Sequence, residues 1–280
     1  MLFRSPNVVV QNMPGGGSLR LANFMYEAAP RDGTQIGTFA RATPFAPLIG
    51  QQGANFDGTK FGWLGSMTDE TSVCIAWRTS GFARLEEAKT RELVLSATSP
   101  SDDAVQIPKL LNNLFGMRFR IVTGYPGNTE MLMAIERGET QGRCGMSWMS
   151  FKASHKRWLD EDKVRVFVQV AMRKHSDLSN VPLLAELTRN EEERQIVEFY
   201  SARQEIARPF FTPPGAPAGR IAALREAFMK TMADPAFLAE AEKGGLEINA
   251  FTGERVEALV RDIYKIPRDI AKKAAELAGE

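Results

Sequence analysis

The feature that most constrains this chain is a recurring unit: a short β-forming run enters a turn of small or hydroxylated residues and then an amphipathic helix. Its clearest copy is Leu93-Val94-Leu95-Ser96-Ala97-Thr98-Ser99-Pro100-Ser101-Asp102-Asp103. Val105, Ile107, Leu110, Leu111 and Leu114 follow at roughly helical spacing. The pattern recurs at Asn7–Met25 and, more loosely, at Phe119–Ile135. The first N–H groups of a helix have no partner within it, so strand, polar turn and helix together aim donors at a ligand. The recurrence implies a chain that cradles a small polar molecule. It does not say which.

Read in order, Asn7–Asn12 is expected to be a buried strand, and Met13-Pro14-Gly15-Gly16-Gly17-Ser18 a turn that uses glycine at positive φ. Ser18 can cap a helix whose apolar face is Leu21, Phe24, Met25 and Ala28. Asp32-Gly33 then leads into a strand at Gln35–Phe39. Further strands are expected at Phe61–Met67, Ser72–Trp77, Leu93–Ala97, Met117–Ile121 and Gly142–Met146. Val164–Val170 is apolar enough to be buried on both faces. After the break at Pro213-Pro214-Gly215-Ala216-Pro217 the reading is helical: Ile221–Met232, Pro235–Lys243, Gly253–Tyr264 and Pro267–Ala278. Strands alternating with helices predict an α/β fold with mostly parallel sheets. A length of 280 residues allows one large or two medium domains.

Several functions are excluded or weakened. Lys plus Arg number 35 and Asp plus Glu 34, so the near-neutral balance gives no footprint for nucleic acid. No apolar run is long enough to span a membrane as a helix, and no signal peptide is visible at the start. His155 and His175 have no partner at metal-ligand spacing, so no metal and no cofactor is expected. The glycine turn lacks the spacing of a phosphate or dinucleotide loop. No nucleophile elbow, C-x-x-C or H-E-x-x-H occurs. Cys74 and Cys144 read as buried free thiols, with a disulfide in an oxidising compartment as the alternative. Asp102-Asp103 could serve as an acid/base pair, or could cap the helix that begins there.

Four motifs in one order resemble a known family. Val8-Val9-Val10-Gln11-Asn12-Met13-Pro14-Gly15-Gly16-Gly17-Ser18, followed by Ala28-Ala29-Pro30-Arg31-Asp32-Gly33-Thr34, is similar to the "V-V-V-E-N-x-P-G-A-G … A-P-D-G-Y-T" run of one receptor family. These are the Bug-type periplasmic solute receptors of tripartite tricarboxylate transporters. Val122-Thr123-Gly124-Tyr125-Pro126-Gly127-Asn128 resembles their "V-P-Y-K-G" strand end. Pro213–Pro217 resembles their "P-P-G-x-P" return, with Leu224-Arg225 and Met232-x-Asp234-Pro235 after it. The resemblance implies a two-lobed, type II-like periplasmic-binding-protein fold with a ligand cleft between the lobes. Residues 1–91 with 208–280 would form lobe one, and 92–207 lobe two. It also implies a signal peptide, a first strand and a ligand-gripping loop upstream, so the chain is expected to be N-terminally truncated. The family's lobe-two loop often reads G-x-G-S-x-x-H. Here Thr98–Asp103 replaces it with two carboxylates, which would repel a dicarboxylate by about 4 kcal/mol at about 4 Å and a dielectric of about 20. That cost disappears if the acids point away or pair with a cation.

By this resemblance the expected ligand contacts are Gly16, Gly17, Ser18, Ala42 and Thr43 on lobe one. On lobe two they are Thr98, Ser99, Ser101, Tyr125, Gly127, Asn128 and Ser147. The expected function is a non-enzymatic, periplasmic, monomeric receptor that takes a small, carboxylated organic molecule to the membrane permease of a tripartite transporter. Two rivals stay open: a doubly wound enzyme using Asp102 or Asp103 as acid or base, and a ligand-sensing domain of a regulator.

Overall fold

The computed structural model describes residues 8–13, 15–98, 102–244 and 246–279. Helix α1 (Leu19–Glu27) and strand β1 (Gly37–Thr38) lead to β2 (Gly62–Ser66) and β3 (Ser72–Trp77). A regular alternation follows: β4 (Leu93–Ser96), α2 (Asp103–Phe115), β5 (Phe119–Val122), α3 (Asn128–Glu136) and β6 (Gly142–Ser147). Helices α4 (Trp148–Ser154) and α5 (Lys156–Asp160) precede β7 (Val164–Val170), and α6 (Glu191–Ala202) precedes β8 (Pro209–Thr212). The chain ends with α7 (Ala218–Met232), α8 (Pro235–Lys243), β9 (Phe251–Thr252), α9 (Gly253–Ile263) and α10 (Arg268–Ala278). Caps explain why many boundaries lie close to the sequence reading. Asp102, Ser147, Asn190, Asp234 and Thr252 each accept a first-turn N–H with the side chain, and Gly116 ends α2 at φ 70°.

The strands form two sheets, ordered β1-β8-β2-β9 and β5-β4-β6-β3-β7. The expectation of mostly parallel sheets does not hold. Every pairing in the four-stranded sheet is antiparallel, and in the five-stranded sheet only β4 pairs in parallel, with β5 and β6. The reason is connectivity. Helical crossovers fix a common direction for successive strands, but β3 and β8 enter their sheets from the other sheet and run against their neighbours. The sequence reading put β3 with the first sheet. Its pairings with β6 and β7 put it in the second, so the chain passes between sheets at residues 67–71 and returns at Arg208.

Two further expectations are corrected. Val8–Val10 is not a buried strand: these valines are 76–85% exposed, and no described strand lies beside them. A β-run without a neighbour leaves its backbone groups to water, whatever its propensity. Cys74 and Cys144 are not free thiols but a disulfide that joins β3 to β6, with both residues fully buried. Sequence gave no sign that these positions face each other across a ladder.

Beneath the four-stranded sheet, Phe39, Phe61, Trp63 and Phe211 pack ring against ring at 4.2–6.0 Å. Helix α10 packs on α2 and α6 through a face of fully buried Ala271, Ala274 and Ala278. Small side chains there let the helices approach closely. Asn113 donates to the Leu277 carbonyl at 2.8 Å, and Lys273 pairs with Glu192, which ties the chain end to the five-stranded half.

Candidate functional site

Helices α2 and α3 start just beyond the carboxyl ends of parallel strands β4 and β5, the crevice where open α/β sheets bind ligands. Two turns line this edge and are bonded together. Gly124 N–H donates to the Thr98 carbonyl at 2.9 Å, and Tyr125 N–H to the Ala97 carbonyl at 3.3 Å. Expected residues Thr98, Tyr125, Gly127 and Asn128 therefore share one rim. Ser99 and Ser101, with Pro100 between them, lie outside the described residues. Ser147 is used as a cap: its hydroxyl accepts the Ser150 N–H at 3.3 Å.

On the first-sheet side, Gly15 and Gly16 take positive φ, as the turn requires, and so does Ser18 at 77°. In that conformation Ser18 makes no side-chain cap to α1. Its hydroxyl instead accepts the Ala40 N–H at 3.2 Å, tying the Gly16-Gly17-Ser18 turn to the loop that carries Arg41, Ala42 and Thr43. Thr43 is buried, and Ala42 lies beside Tyr200 and Arg203 around a small hollow.

The two halves meet through a residue that the sequence reading passed over. Arg41 pairs with Glu70 and with Asp103, the first residue of α2. Asp103 is also 3.8 Å from Arg203 and 3.3 Å from the Tyr200 hydroxyl. Arg203 donates to Gln106 at 3.0 Å and lies over the Tyr200 ring at 3.5 Å. Burial alone would raise the Asp103 pKa, but Arg41 and Arg203 outweigh it and hold the carboxyl below its ordinary range. Arg41 is likewise raised: burial opposes its charge, while Asp103 and Glu70 favour it. Asp102 points elsewhere. One oxygen accepts the Ala104 N–H at 3.0 Å as the cap of α2, and the other accepts the Thr98 hydroxyl. Asp103 is therefore paired with cations, while Asp102 is turned to its own helix start and Thr98.

A second missed residue is Arg143 in β6, only 3% exposed. Its Nη1 donates to Asn128 Oδ1 at 2.8 Å and its Nε to the Cys144 carbonyl at 3.3 Å. Burial pushes its pKa down to about 10, against a weaker opposing pull from Asp102. A signal was present in the sequence, because an arginine inside a strand that is otherwise small and apolar is expensive unless it has a task. Arg41, Tyr200 and Arg203 carried no such signal. They are ordinary residues brought together from distant segments.

Gly145 makes this arrangement possible. At φ 77°, a Cβ there would lie 2.7 Å from the Ala104 nitrogen and 2.8 Å from the Asp103 carbonyl carbon. Gly145→Ala is therefore expected to cost about 1–3 kcal/mol and to push the start of α2 off β6. Urea unfolding measures this, and an unchanged midpoint would show the approach to be loose.

A hollow of about 630 Å³ lies elsewhere, between β2, α7 and α9, lined by Phe61, Ile221, Met229 and the Arg225–Glu257 pair. None of the expected contacts lines it. Arg225 there is satisfied by Glu254, Glu257 and the Trp63 carbonyl at 2.8–2.9 Å. The rim at Thr98 and Asn128 is the better candidate, because it lies at the carboxyl ends of the parallel strands and holds most of the expected second-sheet contacts. Among the described residues no cluster of His, Cys, Asp and Glu is arranged for a metal, and no helix is long and apolar enough to cross a membrane.

Two sheets exchanged twice by one chain, with helix N-termini at the seam, make this the two-lobed α/β fold of periplasmic solute-binding proteins. Within that class the resemblance is to the TctC and Bug proteins. A TctC solute-binding protein from Polaromonas superposes with a TM-score of 0.72 at 14% identity, covering 95% of this chain and 87% of the other. The periplasmic binding protein BugD gives 0.62 at 17%, with 95% and 86% covered. MatC from Rhodopseudomonas palustris, which holds bound malate, gives 0.59 at 18%, with 93% and 86% covered. No protein-family model matches the chain, and no curated protein matches its sequence.

Proposed function

We propose that the chain is an extracytoplasmic solute receptor, a monomer that closes two lobes on a small, carboxylated organic molecule and hands it to the membrane subunits of a tripartite tricarboxylate-type transporter. Lobe one would be built on the four-stranded sheet and lobe two on the five-stranded one, with crossovers at residues 67–71 and at Arg208. The observation that carries this reading is the seam itself. Arg41 from one side reaches the N-terminus of α2 on the other, beside the start of α3, which has no side-chain cap. A ligand that touches both sides only when they are closed shifts that equilibrium.

Other features support it. The similar MatC structure contains malate, a small carboxylate. The buried disulfide suits an oxidising compartment such as the periplasm, and counts against a cytosolic sensor. The enzyme rival is weakened because both aspartates are committed, Asp102 as a cap and Asp103 as a low-pKa ion-pair partner that holds no proton near neutrality.

Thermal-shift screening against small organic acids tests the reading. A ligand at about 100 times its Kd adds about 2.7 kcal/mol by mass action, which is several degrees for a chain of this size. Product formation that is lost on replacing both aspartates would replace this reading with the enzyme.

A further inference from the structure

We propose that the Arg41–Asp103 ion pair is a latch between the two halves of the molecule. It forms only when they are closed, and its strength sets how readily they part. A latch of this kind acts whatever the solute is, so it goes beyond the receptor reading and does not depend on a carboxylate.

The pair lies where the chain passes between the sheets. Met67 N–H donates to the Arg208 carbonyl at 3.1 Å, and Glu70 N–H to the Gln204 carbonyl at 2.8 Å. Arg208 N–H also donates to the Ser66 hydroxyl at 3.2 Å. The two crossovers therefore run side by side as one bonded strip about which the halves can turn. A contact beside that strip that joins one half to the other breaks when they turn apart.

Arg41 makes such a contact from a fixed base. Its loop is held on the first-sheet side, where Ala40 N–H donates to the Ser18 hydroxyl and Thr43 N–H to the Ala40 carbonyl at 2.9 Å. Asp103 is fixed on the other side as the first residue of α2, close against Gly145 of β6. The guanidinium spans the gap, with Nη1 on Glu70 and Nη2 on Asp103. Each end is tied to its own half, so parting the halves pulls the pair apart.

The charges are arranged to survive that parting. Glu70, Arg41, Asp103 and Arg203 alternate in sign along the seam. Breaking the middle pair leaves Arg41 with Glu70 and Asp103 with Arg203, so no buried charge is orphaned. The Arg41 and Asp103 side chains are 22% and 12% exposed, so water can enter as they separate. A fully buried pair would resist opening, and a fully exposed one would hold little. The apolar contact next to it, Phe45 and Ile49 against Phe199 and Tyr200, encloses a hollow of about 20 Å³ and so is not close-packed.

Distances between spin labels on the two halves, measured by pulsed electron spin resonance, test the latch. Suitable exposed positions are Arg137→Cys at the end of α3 and Lys230→Cys on α7, which packs on β2. The native cysteines are joined to each other and do not take label. In Arg41→Met with native circular dichroism a longer-distance population should grow. The expected rise in the open-to-closed ratio is about tenfold, in the range of coupling between contacting residues. Arg41→Lys offers one nitrogen where arginine uses two, so it cannot hold Glu70 and Asp103 through separate groups, and it should show a smaller rise. An unchanged distribution in R41M, or in R41K should R41M fail to fold, would overturn the latch. A panel of organic acids without any rise in Tm would remove the receptor reading and leave these distances to decide the latch.

Discussion

Asp103→Ala is expected to destabilise the protein by about 3–5 kcal/mol, because it removes the buried carboxylate that Arg41 and Arg203 share. The Asp103 side chain is only 12% exposed, so solvent screening offsets little of this. At 2–4 °C per kcal/mol the melting point should fall by roughly 10 °C. The acid side of the pH profile should change in parallel. The folded carboxyl titrates below its ordinary value of 3.8, so the unfolded chain binds the proton first as pH falls. The stabilisation is therefore whole above the ordinary carboxylate range and is lost as pH falls through the folded pKa. The variant should lack that part of the acid transition. Thermal scans from neutral pH down to strongly acidic conditions measure both effects. A loss below about 1 kcal/mol at neutral pH would mean that the network behaves as an exposed pair.

Removing the Cys74–Cys144 cross-link should be of comparable size. The bond closes a loop with a sequence separation of 70 residues. Constraint of the unfolded chain over such a loop is worth about 4 kcal/mol in the chain-entropy treatment. Cys74→Ala with Cys144→Ala should therefore lower the melting point by about 8–16 °C. Calorimetry of the oxidised protein beside the double variant makes the comparison. Both cysteines are fully buried in the sheet that carries the rim, so the loss should also loosen β3 against β6. An unchanged melting point would show that the reduced sheet is held by packing alone.

How much was legible depended on how local the signal was. Thr252, Asp234 and Asp102 announce helix starts because a cap acts over two or three residues, and those helices lie where the pattern put them. That Thr98, Tyr125 and Asn128 lie in turns was legible for the same reason, since a turn between a strand and a helix is written in consecutive residues. Asp102 and Asp103 show the limit. A cap at this helix start was readable and Asp102 supplies it, but Asp103 is neutralised by Arg41, 62 positions away. Nothing near position 103 could reveal that partner.

The sequence by itself determined the alternation of strands and helices, most boundaries, the glycine turn and the polar rim, because these follow from periodicity, caps and backbone freedom within a few residues. Only the tertiary structure decided the direction of β3 and β8, the joining of Cys74 to Cys144, the exposure of Val8–Val10, and the pairing of Arg41 with Asp103. Each of those depends on which distant segment lies alongside. Burial and pairing are properties of neighbours in space, and a one-dimensional pattern carries them only where the neighbours in space are also neighbours in the chain.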